Sequence, residues 1–362
     1  MEIIKVVLTG GPCAGKTTAL NSIKEYLTKN NIPVFTVPET ATELILNGII
    51  PLNEETIYKF QSLVLDKQIS KEKITEEYIK SIKRPIGKCI IIYDRGIVDN
   101  KAYLTSKSDF TSLLIQNNLT EIDVLDSYDL VLDLLSTASC KIEAYNLFNK
   151  ARLEDANTAI EVDRKTSLAW IHHRNLKMIN SSISLEEETD IIINYVREIL
   201  EHVQTKKIRK FLVNNYLSNY KFYNNENSEK LYITDYFLEV EDTCNHVISK
   251  REYNNEISYV YSVYSEENGE VKVYHDKKIN LEEYIDLLSK YKVTTKIAKK
   301  EINFIYNKQK YKLCFYDDYT VLEVEESRVN NNLLFPDNLK ITEEITKDNK
   351  LVKVRRLDNG NI

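Results

Sequence analysis

Residues 8–18 constrain the fold more than any other stretch of this chain, because Gly10, Gly15, Lys16 and Thr17 fill the defining positions of the phosphate-loop pattern G-x-x-x-x-G-K-[ST]. Such a loop works only between a strand and a helix, and both are legible here. Residues 3–8 form an apolar run rich in β-branched residues, which predicts a buried strand. Leu20, Ile23 and Leu27 then recur on one face of a helix over 17–27. The segment Gly10, Gly11, Pro12, Cys13, Ala14, Gly15, Lys16, Thr17, Thr18 should wrap a polyphosphate. Its backbone N–H groups and the positive helix end supply the attraction, and small residues permit close approach. Lys16 would neutralise the β- and γ-phosphates, and the Thr17 hydroxyl would be a Mg2+ ligand. Three of the chain's 8 glycines lie between positions 10 and 15, which concentrates backbone freedom where phosphate binding needs it. The sequence therefore predicts binding of a nucleoside triphosphate, ATP or GTP, together with Mg2+.

A chain of 362 residues is long for one core and comfortable for two domains. With 43% hydrophobic and 29% charged residues, it has the composition of a soluble protein, and no stretch approaches the roughly 20 apolar residues of a membrane helix. The first residues enter a strand at once, leaving no room for a signal peptide. Five cysteines are scattered without a C-x-x-C pair, which argues for a reducing cytoplasmic setting and against a structural zinc site. A formal charge of −6 gives no global attraction to nucleic acid.

Further strands are expected at 34–37, 88–93, 130–135 and 176–179, with helical stretches at 40–83 and 185–203. The run 89–92 is apolar without alternation, as in a strand covered on both faces. Strands alternating with helices predict an α/β doubly wound parallel sheet, with ligands beyond the carboxyl ends of its strands. The pattern changes near Lys206. Strand-like runs follow at 208–213, 246–251, 259–264, 271–274, 302–306, 311–315 and 321–324, interrupted by one helix over 281–291. The expected domains are 1–204 and 205–362, the second being α+β and antiparallel.

Asp94 ends the third strand, where a carboxylate can hold Mg2+ or a metal-bound water beside Lys16 and Thr17. Arg95 could reach phosphate oxygens, and Gly96 would allow a tight turn. Glu39, after the second strand, is placed to orient an acceptor hydroxyl or take its proton. Its alternative role is a favourable charge at a helix N-terminus. Arg152, in the charged segment 149–155, is the candidate transition-state arginine of a lid, with Arg164 second and a solvated helix as the alternative. Trp170, His172 and His173 are expected to pack at the lid's base.

Taken together, residues 9–18, Pro38-Glu39-Thr40-Ala41, Asp94-Arg95-Gly96 with Asp99 and Tyr103, and the segment from Arg152 through Asp163 to Trp170 and His172 resemble one group of P-loop NTPases. It includes the kinase domain of NadR-type nicotinamide riboside kinases and the animal TRPL translocation-defect protein. The resemblance covers about residues 1–200 and implies a five-stranded sheet binding ATP or GTP. It leaves the acceptor open, and no Asn-Lys-x-Asp guanine motif is present.

Residues 206–350 resemble the CYTH superfamily, whose members form a β tunnel around triphosphates. The matching segments are 209–213, 233–238, 250–251, 259–264, 322–325 and 343–348. Enzymes of that superfamily begin Glu-x-Glu-x-Lys, the glutamates holding metal. Here the positions read Lys206, Lys207, Ile208, Arg209, Lys210, so both glutamates are gone. Glu323 and Glu325 remain as an acidic pair for one metal ion. Lys210, Lys250 and Arg251 could bind anions, or be exposed strand-edge charges.

These features predict a P-loop NTPase or small-molecule phosphotransferase carrying a degenerate tunnel that binds a phosphorylated ligand. One alternative is a nucleotide-dependent switch that engages a partner or phospholipid headgroup. The other is an RNA-end-processing kinase, disfavoured because no basic stripe with interleaved aromatics appears.

Overall fold

The computed structural model describes residues 2–82, 87–136, 156–180, 183–214, 229–329, 333–337 and 339–347. The chain divides into two compact units, Met1–Leu200 and Glu201–Ile362.

The first unit begins with β1 (Glu2–Thr9) and α1 (Lys16–Lys29), followed by β2 (Val34–Val37), α2 (Thr40–Leu46) and α3 (Glu54–Ser81). Then come β3 (Lys88–Asp94), a 3-10 segment (Ile97–Tyr103), α4 (Lys107–Gln116), α5 (Glu121–Asp126) and β4 (Leu130–Leu135). The unit closes with α6 (Ala156–Ala169), β5 (Leu176–Asn180) and α7 (Leu185–Leu200). Its five strands are all parallel, in the order β2-β3-β1-β4-β5. The central strand β1 buries Ile4, Val6, Val7 and Leu8 completely, and β3 buries Ile90, Ile91 and Ile92. Covering both faces of the sheet is why these strands lack a polar alternation.

The expected helical region over 40–83 is two helices. Gly48, at φ 84°, lies between them, and the side chain of Asn53 caps α3 by accepting from Thr56 N–H. No described helix is long and apolar enough to cross a membrane.

The second unit carries β6 (Gln204–Val213), β7 (Glu229–Leu238), β8 (Asn245–Tyr253), β9 (Glu256–Glu267) and β10 (Glu270–Ile279). Helix α8 (Leu281–Lys290) precedes β11 (Val293–Tyr306), β12 (Gln309–Phe315), β13 (Thr320–Glu325) and β14 (Ile341–Glu344). Strand β6 pairs with β13 through residues 208–213 and with β10 through 204–207, closing an antiparallel barrel of eight strands. Strand β14 adds to β6. The start of β11 is rich in Thr and Lys, so apolar patterning reveals only its last five residues.

The barrel is filled unusually. Phe211, Val213, Ile302, Phe304, Tyr311, Leu313, Leu322 and Val324 make an apolar cluster with Leu339, and Leu333, Phe335 and Ile341 pack against it. Residues on the opposite face of these strands point into the barrel. They include Lys210, Lys299, Lys310 and Lys312, with Glu301, Glu323 and Glu325. The oily core of the unit therefore lies outside the barrel wall, and its inside is charged.

Candidate functional site

Parallel pairing brings the first functional groups together. Leu8 is in register with Asp94, so the tip of β3 ends beside the loop that leaves β1. No strand intervenes between β1 and β3.

Close contacts fix the loop's shape. Gly10 has φ 129°, and a Cβ there would lie 2.0 Å from Leu134 O. Cys13 takes the left-handed region at φ 61°, and Gly15 at φ 80° precedes α1. Gly11 N–H donates to Asp163 Oδ1 at 2.8 Å, and Ser136 N–H donates to the same oxygen at 3.1 Å. Buried Asp163 thus ties the loop to the end of β4. Its position, far along the chain and on a helix, gave no sequence signal for this role beyond membership of the motif set.

Lys16 Nζ donates to Gly10 O at 3.0 Å and Gly11 O at 2.9 Å, which folds its ammonium over the loop. Burial, reinforced by Arg95, lowers its pKa to about 8, against the pull of Glu39, Asp94 and Asp99. A bound phosphate would oppose that lowering.

Arg95 departs from its sequence reading. It takes the left-handed region itself, at φ 68°, whereas Gly96 has an ordinary φ of −103°. Gly96 is needed for a different reason: a Cβ there would come within 2.8 Å of the Trp170 ring. The Arg95 guanidinium donates to Glu39 Oε1 at 2.6 Å and to Asp99 Oδ1 at 3.2 Å, and sits over the Tyr103 ring. It therefore clamps the tip of β3 to the start of α2 while lining the cleft beside the phosphate loop.

Glu39 accepts from Arg95 on one oxygen and from the Thr42 hydroxyl on the other, at 2.7 Å. Lys71 holds the same turn by donating to Pro38 O at 2.6 Å. Burial alone would raise the Glu39 pKa, but Arg95, Lys16 and Thr42 outweigh it and hold it at about 2. A carboxylate that acidic is a poor base and a good hydrogen-bond acceptor.

Trp170 donates to Asp99 Oδ2 at 3.2 Å, and Tyr128 packs edge-on against it. His173 Nε2 is 3.0 Å from Tyr128 O. These buried aromatics support the turn after β3. Arg152 lies outside the described residues, and Arg164 pairs with Glu161 on α6 at 2.8 Å.

A cleft of about 740 Å3 unites the loop from Pro12 to Thr18 with Glu39, Asp94, Arg95 and Tyr103. Matching the sequence against family models places residues 5–188, just over half of the 362, in the family described as AAA domain. The chain belongs to that AAA domain family. No curated protein matches it. Among solved structures, it is similar to the PH1819 protein from Pyrococcus horikoshii OT3 at 13% identity, covering 42% of this chain and 88% of that one, with a TM-score of 0.28. The PH1012 protein from the same organism matches at 16% identity over 35% of this chain and 80% of its own, TM-score 0.28. A conserved hypothetical protein from Pyrococcus furiosus matches at 15% over 41% and 87%, TM-score 0.27. Likeness at this level carries nothing further.

The AAA domain is a P-loop NTPase domain, and its residues fit a Mg2+–nucleotide. Asp94 Oδ1 is buried without a hydrogen-bond partner, and burial followed by Glu39 raises the Asp94 pKa. An orphaned acidic oxygen of that kind suits a cation that keeps several waters. Thr17 stands exposed in the first turn of α1, lining the same cleft.

In the barrel, Lys210 pairs with Glu266, and Glu323 lies across from both Lys210 and Lys312. Arg251 is 4% exposed on the inward face of β8, opposite the face of Lys250. Lys250 pairs with Glu252 at 3.7 Å on that other face, which favours the exposed-charge alternative over an anion ligand. Among the described residues no three His, Cys, Asp or Glu side chains are grouped to hold a metal. Glu323 and Glu325 have lysines as neighbours: Lys299 and Lys312 sense Glu323, and Lys310 senses Glu325.

Proposed function

We propose that the AAA domain transfers the γ-phosphoryl group of a nucleoside triphosphate to a hydroxyl on a small acceptor. The observation that carries this reading is the Glu39–Arg95 pair. It lines the same cleft as Lys16, Thr17 and Asp94, and the cleft continues past it along α2 and α3. A hydrolase needs room only for water beyond the phosphate, whereas this cleft has walls for a larger molecule.

The roles follow from the chemistry of each group. Loop N–H groups and Lys16 hold the β- and γ-phosphates, and Thr17 with Asp94 would hold Mg2+. The ion, when bound, would neutralise developing charge on the phosphates. Glu39 accepts a hydrogen bond from the acceptor hydroxyl and orients it. The Glu39 carboxylate, at about 2, does not retain the proton. As the O–P bond forms, the proton passes to the transferred phosphoryl group, whose second pKa is near 6. Similarity of the motif set to NadR-type kinases supports transfer over a G-protein switch.

For the barrel we propose binding of a phosphorylated ligand without metal-dependent hydrolysis, in keeping with its resemblance to a CYTH domain lacking two metal-binding glutamates. The inward cations Lys210, Lys299, Lys312 and Arg251 support the anion site.

The test is turnover of ATP and GTP against a chemically broad panel of hydroxyl acceptors, followed by 31P NMR. A new phosphate monoester is expected, its formation slowed by about 10²-fold or more in Glu39→Gln. Slow hydrolysis indifferent to every acceptor would favour the nucleotide switch.

A further inference from the structure

Beyond Glu39, the cleft changes character. Nearest Glu39 its wall along α2 and α3 is polar, with Thr40, Thr42, Gln61 and Gln68, and the remainder is apolar, from Ile45, Pro51, Ile57, Phe60 and Val64. Phe60 and Val64 are held in place by a small cluster with Leu44, against which Ile45 packs. The apolar surface does not stop at the mouth of the cleft. The last residue of α2, Leu46, is 76% exposed, and the connection to α3 presents Leu52 at 84%, with Ile49 and Ile50 also exposed. Four large aliphatic residues are thus exposed within seven positions, next in sequence to the cleft-lining Ile45 and Pro51, a concentration of the kind that marks a binding surface. Asn53 and Thr56 cap α3 firmly just after it, so the patch is carried between two ordered helices.

The charges of the cleft point the same way. Among the described residues its two cations are both at the phosphate end: Lys16 lies on the loop, and Arg95 is committed to Glu39 and Asp99. Among the described residues no lysine or arginine lines the cleft along α2 and α3. An acceptor bearing its own phosphate or carboxylate would be left there without a counter-charge, an unfavourable burial.

We propose that the acceptor is an amphiphilic alcohol. Its hydroxyl meets Glu39, and its hydrocarbon chain runs along Phe60, Val64 and Ile57 and out over Leu46 and Leu52. This rests on the phosphotransferase reading of the cleft. The hydroxyl oxygen attacks the γ-phosphorus, and the bond from that phosphorus to the β–γ bridging oxygen breaks. The products are an alkyl phosphate and a nucleoside diphosphate, with the hydroxyl proton going to the new phosphate monoester. Each methylene that enters the apolar wall adds roughly 0.8 kcal/mol of transfer free energy, about a fourfold gain in affinity.

The experiment compares ethanol, 1-butanol, 1-octanol, 1-decanol and geraniol with glycerol, adenosine and uridine as acceptors for the full-length protein with MgATP and MgGTP. Alkyl phosphate is quantified by mass spectrometry. KM is expected to fall progressively with chain length, by at least a hundredfold from 1-butanol to 1-decanol. Leu46→Asp and Leu52→Asp, at positions too exposed to threaten folding, should each raise the KM for 1-decanol by tenfold or more. They should leave that for 1-butanol within a factor of two. Phosphorylation of glycerol or a nucleoside in preference to the long alcohols would overturn the amphiphile while leaving the phosphotransferase intact. Turnover with no acceptor at all would overturn both. A normal chain-length trend in Leu46→Asp and Leu52→Asp, accompanied by a change in their oligomeric state, would reassign the patch to self-association and overturn the proposal.

Discussion

Arg95 donates from Nε to Glu39 Oε1 over 2.6 Å, joining the tip of β3 to the start of α2. Arg95 occupies a left-handed backbone conformation that a side chain seldom adopts, and Glu39 is a half-buried acid. Together they stand in the cleft with the phosphate loop on one side and the lining of α2 and α3 on the other, where the proposed acceptor would lie. Glu39→Gln should therefore reduce phosphoryl transfer by about 10²-fold or more, in line with losing an orienting group. Because Glu39 is held at about 2, wild-type kcat should show no titration of this group between pH 4 and 9. A pH–rate profile with an acidic limb that vanishes in the Gln variant would instead make it the base.

Lys16 contributes its ammonium to two loop carbonyls and none of its contacts to the apolar core. Lys16→Ala is expected to weaken ATP and GTP binding by at least tenfold in calorimetry. Its melting temperature should stay within about 4 °C of wild type, the shift of about 1 kcal/mol or less. Wild-type affinity in a folded variant would remove the loop from nucleotide binding. Lowered to about 8 by burial, the free protein's Lys16 also loses its charge as pH rises through that value. Nucleotide affinity should then decline above about pH 8.

Much of this was readable beforehand, and the exceptions have physical causes. The phosphate loop, the alternation of strands with helices and the Asp94 tip depend on local spacing, which sequence displays directly, whereas the strand order does not. The Arg95 conformation was hidden because a glycine stands next to it, and Gly96 attracts the turn assignment that Arg95 fulfils. Its own need is room for Trp170, a contact 74 positions away that no local pattern reveals. The hold of Asp163 on Gly11 is invisible for the same reason. In the barrel, alternation was read along individual strands, but closure depends on β6 pairing with both β10 and β13. That pairing decides that Arg251 points inward and Lys250 outward.

Glu72 makes a prediction about pH. It is buried in α3, accepting from Gln68 Nε2 at 2.8 Å and from the Tyr128 hydroxyl at 3.0 Å. Gln68 also donates to Arg95 O at 3.3 Å, so this network supports the wall of the cleft. Burial raises the Glu72 pKa to about 7, against the opposing hydrogen bonds and Lys5, with Glu76 adding to the rise. The folded state keeps a proton that the unfolded state releases near 4.5. Stability from this group is thus complete below about pH 4.5 and is lost as pH rises to about 7, then levels off. The loss is at most about 3 kcal/mol. Urea midpoints for Glu72→Gln should lack this part of the slope between pH 4.5 and 7. Parallel wild-type and variant curves would show that Glu72 does not titrate there.

The last prediction concerns the charge balance inside the barrel. Glu323 faces Lys210 and Lys312 across the sheet, and Lys299 is close enough to sense it. If the carboxylate holds metal for hydrolysis, Glu323→Gln should abolish phosphate release. If it only neutralises lysines, the same change leaves an excess of positive charge and should strengthen anion binding. Charge-assisted hydrogen bonds contribute about 1.5–3 kcal/mol each, enough to measure singly. In full-length protein carrying Lys16→Ala, to silence the phosphate loop, tripolyphosphate should bind without being cleaved and should weaken as salt rises. Lys299→Ala and Lys210→Ala should lower that affinity at least tenfold, Lys250→Ala should leave it unchanged because that side chain points outward, and Glu323→Gln should raise it. Release of phosphate that depends on both Mg2+ and Glu323 would return the acidic pair to a metal site.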